Sequence, residues 1–162
     1  MPDITVLGKT LAGGYLPCNA LVVEDYIFET IKSSHGRIQQ SSTFQGHSLA
    51  MAVASHVQEK VQKDTFLTQV ANKASAVTNL ITHRLEDSDR FAGCTGRGLR
   101  YSIQLTGSEA DSFARCVTRR CETEAQLIVD GKWHRFTFSP QLDLKIGELL
   151  DLTSRFCDIF LE

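Results

Sequence analysis

The chain has 162 residues, and its 17 Lys plus Arg against 19 Asp plus Glu leave a formal net charge of −2. That length holds one domain or a portion of a larger one. The near-neutral charge excludes a general polyanion binder, which needs a basic stripe to displace counterions from phosphates. No apolar run approaches the ~20 residues that cross a bilayer.

In chain order, Ile4-Thr5-Val6-Leu7 reads as a short strand entered from Pro2 and left at Gly8. Cys18 to Val23 reads as a second strand, whose nearly unbroken apolar character predicts burial on both faces. Ile27, Phe28 and Ile31 share one face of a helix over about 25–33. After Gly46 the helical period takes over, with Ala50, Val53, Ala54, Val57 and Val61 at steps of three and four. A further helix is expected from Asp64, as its N-cap, to about Leu85, with Leu67, Val70, Ala71, Ala74, Val77 and Ile81 facing inward. Then Gly96-Arg97-Gly98 leads into a strand over 99–105 with Ile103 and Leu105 on one face. Ser108 is expected to cap a helix with Asp111 in its first turn. Leu127-Ile128-Val129 and Arg135-Phe136-Thr137-Phe138 read as strands flanking an Asp130-Gly131 hairpin turn. The last helix is expected to bury Ile146, Leu149, Leu150, Phe156, Cys157 and Phe160. From residue 65 the order helix, strand, helix, hairpin, helix makes an α+β layer of its own. The first 64 residues read as an α/β sheet cut open.

Two spots could carry chemistry. Lys9 stands at the end of an apolar strand beside Gly8 and just before Gly13-Gly14. Small neighbours let a planar ligand approach closely. A lysine in such surroundings loses solvation and becomes a nucleophile toward carbonyls. The alternative is a solvated lysine before a flexible turn. The second spot is Ser41-Ser42-Thr43, just ahead of a helix. These hydroxyls can cap the helix, or can hold an anion together with its free N–H groups. His47 on the same edge is expected to be structural. The five cysteines are an odd number without Cys-x-x-Cys spacing, and the five histidines are dispersed. Reduced thiols in a cytoplasmic setting, with no metal site, are the expectation. The N-terminus also lacks the basic start and long apolar core of a signal peptide.

Together these segments resemble the class III family of pyridoxal-phosphate-dependent aminotransferases, of fold type I. The pattern around that family's cofactor lysine is matched by Asp3, Ile4, Gly8, Lys9, Leu11, Gly13, Gly14, Tyr15 and Pro17. A later motif is matched by Thr43, Phe44, Gly46, His47 and Ala50, with Ser48 in place of a proline. A third is matched by Gly96, Gly98 and Leu99, with Thr95 in place of an arginine, and a fourth by Ser139-Pro140-Gln141-Leu142.

The resemblance implies an α/β fold: residues 1–64 as the end of a pyridoxal-phosphate-binding large domain, and 65–162 as the C-terminal α+β small domain. It implies that Lys9 forms a Schiff base with pyridoxal 5'-phosphate and shuttles the substrate proton, and that Thr43 bonds the cofactor phosphate across a homodimer interface. The reaction implied is transfer of an amino group between an amine or amino acid and an oxo acid. The family's glycine loop, stacking aromatic and pyridine aspartate lie upstream of the lysine, and the eight residues before Lys9 cannot hold them. A C-terminal portion that is not competent by itself is therefore expected. An aminomutase or racemase on the same scaffold is the alternative enzyme, and a non-catalytic remnant or interaction module the alternative of another class. Arg135 sits too close to Ser139 to match the family's substrate-carboxylate arginine, so the substrate stays open. Arg115, Arg119 and Arg120 read as a solvated helix face.

Overall fold

Ile4-Thr5-Val6-Leu7 forms strand β1 (Ile4–Leu7) in the computed structural model, which describes residues 2–36 and 42–162. It pairs antiparallel with β2 (Ala20–Val23), Ile4 opposite Val23 and Leu7 opposite Ala20. Pairing starts at Ala20 rather than Cys18, and the expected burial on both faces is not found. Val6 is 76% exposed and Leu21 61%. A two-stranded ribbon buries a face only where another layer lies on it, and among the described residues none covers these side chains. Helix α1 (Asp25–His35) runs slightly past the expected end and stops at Gly36, whose φ of 66° suits a left-handed cap. The Tyr26 hydroxyl donates to Asp3 Oδ1 at 2.9 Å and ties α1 to the start of β1. Helix α2 (Ser48–Val61) follows, with Ala50 and Ala54 buried. Ser41 lies outside the described residues.

The chain divides into two compact units, Met1–Phe66 and Leu67–Glu162. Helix α3 (Asp64–Leu85) leads into the second. Asp64 is in its first turn rather than at its cap, and Phe66 N–H donates to Lys63 O. Val77, Ile81 and Leu85 are buried as expected, but Leu67 is 52% exposed and Ala71 is also exposed. The apolar stripe outruns the core: the second unit's cluster takes up Val70 and Ala74 only partly and closes over α3 from Val77 onward.

A four-stranded antiparallel sheet in the order β3-β4-β6-β5 carries that core, from β3 (Phe91–Arg97), β4 (Arg100–Leu105), β5 (Asp130–Lys132) and β6 (Arg135–Phe138). Strand β3 has no counterpart in the sequence reading. Its glycines weaken the strand pattern, yet Gly96 is required there: a Cβ would lie 2.4 Å from Arg100 O on the paired strand. The hairpin exists, but Asp130-Gly131 is strand, and the turn is Trp133-His134, both at positive φ (50° and 60°). Gly131 serves close packing instead, since a Cβ would meet Thr118 Oγ1 at 2.2 Å and Ala114 O at 2.8 Å.

Helix α4 (Ala110–Ala125) starts after Glu109 without a side-chain cap, so Ser108 does not cap it, although Asp111 is in the first turn. Arg115 and Arg119 are exposed, as on a solvated face, and Arg115 pairs with Asp111, but Arg120 is partly buried and bonds Ile159 O and Glu162 as well as Glu124. Helix α5 (Ile146–Leu161) buries Leu149, Phe156, Cys157 and Phe160, whereas Ile146 is 42% exposed on its first turn. Its aromatics meet β6 edge to face: Phe156 stands 5.1 Å from Phe136 and 4.8 Å from Phe138 between ring centres. Such rings bury large area and add roughly 0.5–1.5 kcal/mol per pair.

Candidate functional site

Lys9 follows Gly8 directly off β1 and opens a single 3-10 turn, Lys9–Ala12. Its φ is 52°, in the left-handed region, where an L-residue with a side chain is disfavoured by about 1–2 kcal/mol. Such a conformation persists only where the surroundings over-determine it. Leu11 N–H donates to Gly8 O at 3.1 Å and Gly13 N–H to Thr10 O at 2.9 Å. Ala12 is fully buried. From α2, the Gln58 side-chain amide donates to Leu11 O at 2.9 Å. Gly13, at φ 64°, lets Val57 approach so closely that a Cβ would lie 3.1 Å from Val57 Cγ2.

The Lys9 side chain is exposed, and its amine makes no hydrogen bond or ion pair among the described residues. The desolvation expected from its surroundings is therefore not supplied by them. Glycines contribute no side chain to cover an amine, and the anchoring contacts fall on Leu11, Ala12 and Gly13.

Thr43 lies in the turn before α2, closed by Gln45 N–H to Ser42 O and His47 N–H to Phe44 O, with Gly46 at φ 69°. His47 caps the helix: its Nδ1 accepts from Ala50 N–H at 3.2 Å. The sequence offered hydroxyls for that task and a structural role for His47, and an imidazole nitrogen does the capping. The Thr43 hydroxyl is exposed and engaged by no group among the described residues. No hydrogen bond joins Lys9 and Thr43. The Lys9 turn meets α2 at Val57 and Gln58, through Gly13 and Leu11, whereas Thr43 precedes the helix, and these two points of α2 are roughly 15 Å apart along the axis at 1.5 Å per residue. Gln58 escaped the sequence reading, although it continues the buried i, i+4 row of Ala50 and Ala54, where a polar side chain needs a partner.

In the second unit, a cavity of about 290 Å³ is lined by Ser75, Thr78, Asn79, Cys94 and Thr95 among others. Burial pushes the Cys94 thiol up, the reverse of an activated thiolate. Among the described residues no three His, Cys, Asp or Glu side chains gather as metal ligands, and no helix is long and apolar enough to cross a membrane.

Residues 1–131 match the family model described as aminotransferase class-III. The chain belongs to the class-III aminotransferases. It is 28% identical to the uncharacterized aminotransferase YodT of Bacillus subtilis (strain 168), over 98% of this chain and 39% of that protein. It is 36% identical to the acetylornithine aminotransferase of Lactococcus lactis subsp. lactis (strain IL1403), over 65% of this chain and 26% of that one. The crystal structure of acetylornithine aminotransferase from Elizabethkingia anophelis superposes with a TM-score of 0.87 at 26% identity, covering 99% of this chain and 39% of its own. The fold is thus the mixed α/β fold type I of these enzymes, as the motifs implied. This aminotransferase chain spans well under half the length of these relatives.

Proposed function

We propose that this chain contributes the lysine-bearing part of a pyridoxal-phosphate-dependent transaminase, which moves an amino group between an amine or amino acid and an oxo acid. The observation that carries the reading is Lys9: a lysine held at φ 52° at the end of a strand, with its amine engaged by no group among the described residues. Strain of this kind is kept where an element must present a group in one direction.

The residues present fit pyridoxal 5'-phosphate. Lys9 offers a primary amine of the type that condenses with its aldehyde, and Thr43 a hydroxyl, engaged by no group among the described residues, for its phosphate. When bound, the conjugated pyridinium ring supplies the electron sink for bond cleavage at the substrate α-carbon. Lys9 would anchor the ring and, once released, carry the proton at its Nζ to and from that carbon. Thr43 would donate its Oγ1 proton to a phosphate oxygen. Its position at the far end of α2 from the Lys9 turn supports delivery to the site of a second copy, hence a homodimer. Residues 1–64 would then belong to the large domain and 65–162 to the small one.

The test joins this chain to the preceding part of a relative such as YodT, adds pyridoxal phosphate, reduces with borohydride and maps the label by peptide mass spectrometry. The label is expected on Lys9, and Lys9→Ala is expected to abolish turnover for want of another group to move the proton. A label on a different lysine refutes the assignment.

A further inference from the structure

We infer that Gln58 is a positioning residue for Lys9: its side-chain amide, bonded to the Leu11 carbonyl, holds the turn that keeps the lysine in its left-handed conformation. The inference rests on the proposal that Lys9 carries the cofactor. The bond is 2.9 Å long and joins residues 47 apart in sequence, so it is a tertiary contact and not one the turn makes for itself. The turn's own bonds, Leu11 N–H to Gly8 O and Gly13 N–H to Thr10 O, close on either side of Lys9 and Leu11 but are local. Bonds of that kind are made within the turn and do not tie it to the rest of the unit. The contacts that do so come from α2. Val57 lies on Gly13 and fixes where the turn ends, and Gln58 holds Leu11 O and fixes how its middle is rotated. Rotation of the Leu11 peptide away from α2 would leave a half-buried carbonyl and a half-buried amide both without partners.

Among the described residues Gln58 makes no hydrogen bond with the amine of Lys9. It acts through the backbone. A leucine there would pack equally well beside Val57 and leave the carbonyl unbonded. A glutamate would keep size and shape, but its ionised oxygens accept and do not donate.

The test uses the 162-residue chain labelled with 15N and 13C. Wild type, Gln58→Leu and Gln58→Glu are compared by the Lys9 backbone couplings and 13C shifts, which report φ directly, and by thermal midpoint. The wild-type chain should show the left-handed signature at Lys9. One Gln58 side-chain amide proton should exchange roughly fivefold more slowly than those of Gln62, a fair expectation for one net hydrogen bond. Both variants should lower the left-handed population of Lys9 by about fivefold while the signals of β3 and β4 stay in place. An unchanged Lys9 signature in folded Gln58→Leu overturns the inference. So does free exchange of the Gln58 amide in wild type, which decides the matter even where both variants fail to fold. The borohydride label reads the other proposal separately. A label on another lysine, together with a Lys9 signature that depends on Gln58, refutes the cofactor assignment and leaves the positioning role standing.

Discussion

Replacing Lys9 by Gly and by Ala separates its backbone from its side chain. Both substitutions remove an exposed side chain whose amine has no partner among the described residues, so that loss cancels between them. What differs is the conformational term. At φ 52° alanine keeps the Cβ clash and glycine does not, which favours glycine by about 1–2 kcal/mol. Glycine's larger unfolded-state entropy returns roughly 0.5–1 kcal/mol. The net expectation is a Lys9→Gly chain whose turn is more stable than that of Lys9→Ala by ~0.5–1 kcal/mol, the reverse of the ordinary order for these residues. Hydrogen exchange of the Leu11 amide, bonded to Gly8 O at 3.1 Å, reads the local opening of this turn. Slower Leu11 exchange in Lys9→Gly than in Lys9→Ala is the expected result. Equal or faster exchange in the glycine variant would mean that Lys9 is not held in the left-handed region, and would remove the strain argument from the functional proposal.

Two further outcomes concern the second unit. Gly131→Ala should cost about 1–3 kcal/mol, because its Cβ would overlap Thr118 Oγ1 and Ala114 O; a urea midpoint within error of wild type would refute the close-packing role of Gly131. Burial pushes the Cys121 and Cys157 thiols up from 9.0 to about 11. A folded-state value raised in this way stabilises the neutral thiol, so the stability is whole below pH 9 and lost as pH rises through about 11. Each thiol contributes on the order of 2–3 kcal/mol to that loss. Urea midpoints measured from pH 8 to 11 should fall more steeply for wild type than for Cys121→Ala/Cys157→Ala, and parallel profiles would refute the assignment.

Local pattern was enough to determine much of this protein. The apolar period from Ala50 to Val61 and from Val70 to Ile81 sets two helices, the Ile4 to Leu7 run sets a strand, and Lys9 among its glycines stands out as the group to examine. These features are legible because period and turn chemistry act over a few residues. Tertiary structure decided what covers each apolar stripe: Leu67, Ala71, Leu21 and Ile146 sit in apolar patterns yet are exposed, since burial depends on a second segment the pattern does not contain. It also decided between the two uses of a glycine. A missing side chain serves a positive φ or a close approach equally well, and only the contact with Thr118 and Ala114 assigns Gly131 to the second. The same holds at the site. The sequence singled out Lys9 and Thr43, but that His47 caps α2, that Lys9 is left-handed, and that Gln58 holds its turn depend on bonds whose partners are fixed only when the chain has folded.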